Sequence, residues 1–129
     1  MNEAIFKAYD VRGKYPGEIN EETVKEIAAA LARFFSQGKI VVGYDARLSS
    51  PSLYQSVNEA LGKNKEIKTV KIGRCTTPMF YFLVNHFKAE GGIMVTASHN
   101  PKEYNGLKAV KEGGVPMSGK EVWELVTGN

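Results

Sequence analysis

Scarcity narrows this chain first. It has a single cysteine, Cys75, so no internal disulfide can form, and no cysteine or histidine stands near it at the spacing of a zinc site. Its plain reading is a small half-buried thiol beside Thr76. No apolar run is longer than residues 79–84, far too short to cross a bilayer, and Met1-Asn2-Glu3 does not open a signal peptide. These observations predict a cytoplasmic protein with no membrane partner. Neither sign of charge dominates: 17 Lys and Arg against 14 Asp and Glu leave a formal charge of +3. That balance suits anionic small molecules, and the absence of a basic stripe interleaved with aromatics argues against nucleic acid. There is no repeat, no low-complexity tract and no Asp-x-Asp-x-Asp spacing of the kind that holds a divalent cation.

What is present is an ordinary globular composition, 43% hydrophobic and 24% charged over 129 residues, which is enough chain for one domain. Short β-type runs alternate with helical periods, predicting a three-layer αβα sandwich around a mixed, mostly parallel sheet of about four strands. Asn20 caps a first helix with Val24, Ile27, Ala28, Leu31, Phe34 and Phe35 on one face, ended by Gly38. A strand over residues 39–44 follows. Ser50 then caps a second helix with Pro51 in its first turn and Leu53, Val57, Ala60 and Leu61 turned inward. The next strand covers residues 68–73. Pro78 opens a helix bearing Phe80, Leu83, Val84 and Phe87, and Gly91-Gly92 leads into a strand at residues 93–95. A short strand over residues 107–110 and a last helix, with Ser118 and Glu121 at capping-box spacing, complete the pattern.

Ligands of open α/β sheets gather beyond the carboxyl ends of the strands, and three polar segments fall there or near the start of the chain. They are Tyr9-Asp10-Val11-Arg12-Gly13, too polar for a core strand, Gly43-Tyr44-Asp45-Ala46-Arg47, and Thr96-Ala97-Ser98-His99-Asn100-Pro101. The last places a hydroxyl nucleophile, an imidazole and an amide side by side, and Pro101 biases Asn100 to an extended backbone that keeps the loop open. If the strand carrying Lys108 lies beside that loop, Ser98, His99, Lys108 and Arg12 converge on one cationic cleft. Such a pocket suits phosphoryl transfer better than acyl transfer, because the charge on the equatorial oxygens is what needs stabilising. Each residue also has a plainer reading: Ser98 and His99 as loop polars, Lys108 as a solvated lysine, and Arg12–Asp10 and Arg47–Asp45 as ion pairs of little energetic weight.

Residues 114–120 mimic a phosphate-binding P-loop as far as Lys120, but Glu121 replaces the required hydroxyl residue and Pro116 removes an amide. The capping box explains them better.

Taken in order, Phe6-Lys7-Ala8-Tyr9-Asp10-Val11-Arg12-Gly13, Gly43-Tyr44-Asp45-Ala46-Arg47, Thr96-Ala97-Ser98-His99-Asn100-Pro101 and Tyr104-Asn105-Gly106-Leu107-Lys108 resemble the successive signatures of the α-D-phosphohexomutases. The opening signature is nearer the phosphomannomutase/phosphoglucomutase branch than the phosphoglucosamine mutase branch. The resemblance implies the amino-terminal domain I, residues 1–129, of an enzyme moving a phosphoryl group between the 1- and 6-positions of a phosphosugar such as mannose or glucose phosphate. It implies a phosphoserine at Ser98, a hexose 1,6-bisphosphate intermediate, and Mg2+ bound through the phosphate on Ser98. His99 and Lys108 then lie against the reacting hydroxyl, Lys108 as acid/base; Arg12 supports the phosphoserine, and Tyr9 and Asn100 line the substrate site. The metal loop, sugar-selecting loop and phosphate-gripping loop of such enzymes belong to three later domains absent from this chain, so those domains are implied partners. The residues here are expected to be inactive alone. The alternative is a non-enzymatic module that uses the same cationic loops to bind a phosphorylated ligand or a partner chain.

Overall fold

The computed structural model describes residues 1–128. Strands β1 (Val11–Lys14), β2 (Gly38–Tyr44), β3 (Ile67–Arg74), β4 (Gly91–Val95), β5 (Tyr104–Lys111) and β6 (Val115–Pro116) form one sheet in the order β1-β5-β4-β2-β3, with β6 beside β5. β2 pairs in parallel with β3 and β4, while β5 is antiparallel to β4, β1 and β6. Five strands therefore point one way and β5 runs against them. The mixed α/β sheet is as predicted, and its two additional strands are β1 and β6. Residues 11–14 look too polar for a strand because β1 lies at the sheet's edge, with alternate side chains turned away from the core.

The helices are α1 (Glu21–Phe35), α2 (Ser50–Gly62), α3 (Thr77–His86) and α4 (Gly119–Thr127). Alternate side chains of a strand face opposite layers, and this chain uses both. Ile40, Val42, Ile93, Val95, Leu107 and Ala109 meet α1, α2 and α4 on one side, whereas Val41, Met94 and Val110 meet Phe80 and Val84 of α3 on the other. The core side of α3 thus hangs on few residues. Losing the fully buried ring in Phe80→Ala should cost about 3–5 kcal/mol.

Local chemistry sets the helix ends. Asn20 and Thr23 form a reciprocal capping box on α1, and Ser118 and Glu121 do the same on α4, while residues 115–116 form β6. Three expectations need correction. α1 ends at Ser36, in a positive-φ conformation of 62°, before Gly38 enters β2. The cap position of α2 is Ser49 and not Ser50, since the Ser50 hydroxyl instead donates to Asp45 Oδ1 at 2.6 Å. Phe34 is 43% exposed, because its neighbour Phe35 takes the inward position and the two rings meet edge to face. Cys75 is half-buried against Met94, and burial pushes its thiol pKa up.

Candidate active site

β2 and β4 are adjacent and parallel, so the loops that leave them emerge together at one edge of the sheet. β5 enters from that edge, and the Thr96 N–H donates to the Gly106 carbonyl at 3.0 Å. The loop after β4 is therefore stitched to the strand that carries Lys108.

Ser98 sits at the exposed head of that loop with φ at 56°, a left-handed conformation that costs a non-glycine residue roughly 1–2 kcal/mol. Its N–H donates to Thr96 Oγ1 at 3.0 Å. Asn100 folds back, its backbone N–H and side-chain amide both donating to the Ala97 carbonyl at 3.1 and 2.9 Å. The turn presents the Ser98 hydroxyl outward with no intramolecular hydrogen bond among the described residues. His99 is exposed beside it.

The two arginines behave differently. Arg47, only 11% exposed along its side chain, uses every N–H of its guanidinium. Nε donates to Asp45 Oδ2 at 3.2 Å. Nη1 donates to the Pro101 and Tyr104 carbonyls at 2.6 and 3.0 Å, and Nη2 to those of Ser98 and Asn100, each at 2.8 Å. A buried network secures its counterion: Ser50 donates to Asp45, and Asn105, fully buried, donates to both Ser49 and Ser50. The pairing of Arg47 with Asp45 is as read from the sequence, but a solvated ion pair of little weight it is not.

Arg12 has donors to spare. Its one acidic partner is Asp10 at 3.5 Å, and its side chain is 35% exposed. It stands opposite Gly106 across the β1–β5 pair, and Lys108 lies two residues further along β5. Directly opposed residues share a face, as do alternate residues of one strand, so Arg12 and Lys108 project from the same side of the sheet. Lys108 is half-buried and engages no carboxylate among the described residues. Lys108 on β5 and Arg12 on the neighbouring β1 therefore place two cations with spare donors on the strand pair to which the serine loop is tied.

A cleft of about 250 Å³ is lined by Arg12, Gly13, Asn100, Tyr104, Lys7 and Glu18, together with Ala4 and Ile5. It brings together Arg12 and Asn100 of the predicted set. Ser98, His99, Lys108 and Tyr9 are outside its lining, and Tyr9 is 73% exposed. Among the described residues no group of three His, Cys, Asp or Glu side chains is placed to hold a metal ion, and no helix is long and apolar enough to cross a membrane. Sequence reasoning missed the roles of Arg47, Thr96 and Asn105. The one legible hint is that Arg47 closes the polar segment Gly43-Tyr44-Asp45-Ala46-Arg47 at the end of a strand.

Residues 3–127 match the family described as phosphoglucomutase/phosphomannomutase, alpha/beta/alpha domain I. A protein named "Phosphohexose mutases" from Xanthomonas campestris pv. campestris strain B100 is 47% identical over 119 residues, covering 92% of this chain and 26% of the relative. A Klebsiella pneumoniae phosphomannomutase is 45% identical over 114 residues, covering 88% of this chain and 72% of that protein. The crystal structure of a phosphoglucomutase/phosphomannomutase family protein from Burkholderia thailandensis superposes with a TM-score of 0.85 at 29% identity, covering 98% of this chain and 30% of that one. The chain thus spans about a quarter of the length of the Xanthomonas relative.

Proposed function

The chain belongs to the phosphoglucomutase/phosphomannomutase family as its α/β/α domain I, and from that premise we propose that Ser98 carries the phosphoryl group of a cytoplasmic phosphosugar mutase. The observation that carries this reading is an exposed serine, held at positive φ on a pinned loop, beside a strand pair that carries two cations with spare donors, Lys108 on β5 and Arg12 on β1.

In the proposed cycle, phosphorylated Ser98 faces one hydroxyl of a hexose monophosphate. The sugar oxygen attacks phosphorus, the bond from phosphorus to Ser98 Oγ breaks, and hexose 1,6-bisphosphate forms. After the intermediate turns over in the site, Ser98 Oγ attacks the other phosphoryl group and releases the isomeric monophosphate. Lys108 exchanges the proton of the reacting sugar hydroxyl with His99 against it, while Arg12 spreads its charge over the transferring phosphoryl oxygens. Tyr9 and Asn100 contact the sugar phosphate. Mg2+, when bound, supplies further positive charge at a phosphoryl oxygen, and this chain's own ligand to it is the phosphate on Ser98. The remaining ligands, the selection of mannose or glucose, and turnover itself require the other domains, so the isolated chain is inactive in this account.

The test joins this domain to the remaining domains of a family enzyme and follows interconversion of hexose 1-phosphate and hexose 6-phosphate after priming with hexose 1,6-bisphosphate. Turnover abolished by Ser98→Ala is expected. Turnover retained in that variant refutes the assignment, and tight binding of the bisphosphate without turnover in the parent favours the non-enzymatic module.

A further inference from the structure

Among the described residues Arg47 is the most heavily engaged polar side chain, and the proposed cycle gives it no chemical task. Every N–H of its guanidinium is already taken by protein oxygens, so none remains to meet a phosphoryl group. We infer that Arg47 is a positioning residue, which fixes Ser98 in its left-handed turn and sets the distance between that serine and the strand bearing Lys108; the functional half of this inference rests on Ser98 being the phosphoryl carrier.

A rigid planar fork fixes the relative positions of the groups it bridges better than a lysine can. Nη2 holds the carbonyl of Ser98 itself and that of Asn100, while Nη1 holds Pro101 and Tyr104. Tyr104 is the first residue of β5. One side chain thus ties the nucleophile's own peptide to the start of the strand where Lys108 stands.

The hold is anchored from below. Asp45 accepts from Nε and from the backbone N–H of Arg47, and its own N–H donates to the Val95 carbonyl at the end of β4. Asp45 is steadied in turn by Ser50 and, through it, by Asn105, the residue before Gly106. The positive φ at Ser98 needs an external restraint, because the loop's own contacts there are one hydroxyl acceptor and the turn back to Ala97.

Removing the fork should leave a folded domain with a loosened serine loop. Amide exchange in the chain reads this directly. In Arg47→Met the amides of Ser98, Asn100 and Tyr104 should exchange at least about tenfold faster, while central amides of β2 and β3 keep their protection. Arg47→Lys, which keeps the charge but not the fork, should restore little of it. Guanidinium ion added at low millimolar concentration to Arg47→Ala should slow the loop amides again, and urea at the same concentration should not. Unchanged loop exchange in a folded Arg47→Met or Arg47→Lys protein overturns the inference, as does equal rescue by urea.

The functional arm uses the assembled mutase. A nucleophile misplaced by about an ångström can lose on the order of a hundredfold in rate, so Arg47→Lys should lower kcat by about that factor with KM nearly unchanged. A fall confined to KM, or kcat close to the parent value, overturns the positioning role. Ser98→Ala in the same enzyme keeps the two claims apart. Turnover surviving there refutes the serine as carrier and leaves the loop-exchange result standing by itself.

Discussion

Gly106→Ala is the sharpest structural perturbation available near the site. Gly106 lies opposite Arg12 where β1 and β5 pair, and a Cβ built there would overlap the Val11 carbonyl oxygen and come within 2.8 Å of the Arg12 Cα. Ordinary contacts of a methyl carbon begin near about 3.5 Å, and both obstacles are backbone, so no rotamer change relieves them. β1 must shift by about an ångström or lose its register. Overpacking of this kind costs about 1–3 kcal/mol, and the rigid neighbours favour the upper end. For a domain of this size about 3 kcal/mol corresponds to a fall in Tm of roughly 10 °C. The same shift displaces Arg12 and pulls on the Thr96 N–H bond to Gly106, so turnover of the assembled enzyme should fall even at temperatures where the variant is folded. Thermal unfolding followed by circular dichroism checks the first consequence, and kcat at a temperature well below Tm checks the second. A Tm within about 2 °C of the parent would refute the close approach of β1 to β5.

Other perturbations separate the roles of the cations and the titrating groups. Lys108→Ala should mainly lower turnover, on the order of a hundredfold to ten-thousandfold for an acid/base group, and Lys108→Arg should recover little because guanidinium does not exchange its proton near neutral pH. Near-normal kcat for Lys108→Arg would reduce Lys108 to plain positive charge. Arg12→Lys should keep part of the activity that Arg12→Ala loses, since charge survives but the fork does not; equal losses in the two variants would contradict this. Glu21 accepts hydrogen bonds from the Ser52 and Tyr15 hydroxyls, which hold its carboxyl below the usual range. A lowered folded pKa contributes stability that is present above the unfolded pKa and lost as pH falls through the folded value. The Tm difference between the parent and Glu21→Gln should therefore be present at neutral pH and shrink below about pH 4; a difference independent of pH would contradict it.

Much of this architecture is legible in the residues themselves, and what is not has identifiable causes. The central strands β2 and β4 announce themselves as apolar runs because both faces of the sheet are covered there, and the capping pairs Asn20–Thr23 and Ser118–Glu121 rest on neighbours three residues apart. β1 is hidden because its strand character comes from pairing with β5, 90 to 96 residues away in register, and not from its own composition. The outward turn of Phe34 is hidden for a simpler reason: two adjacent phenylalanines compete for one inward position, and Phe35 takes it. At the site, Ser98, Arg12 and Lys108 attract notice by chemical type. Arg47 does not, since its partners are backbone carbonyls 51 to 57 residues distant, and a carbonyl carries no mark in the sequence. Ser50 shows the same effect, its hydroxyl drawn from the helix end to the carboxylate of Asp45.

The central claim is that Ser98 carries the phosphoryl group, and peptide mapping by tandem mass spectrometry tests it most directly. The domain, joined to the others of its family, is incubated with hexose 1,6-bisphosphate and digested before analysis. The account predicts one added phosphoryl group, located on Ser98, absent in Ser98→Ala, and discharged when hexose monophosphate is supplied in excess. A phosphoryl group found on a different residue, or full turnover with Ser98 unmodified throughout, would contradict it.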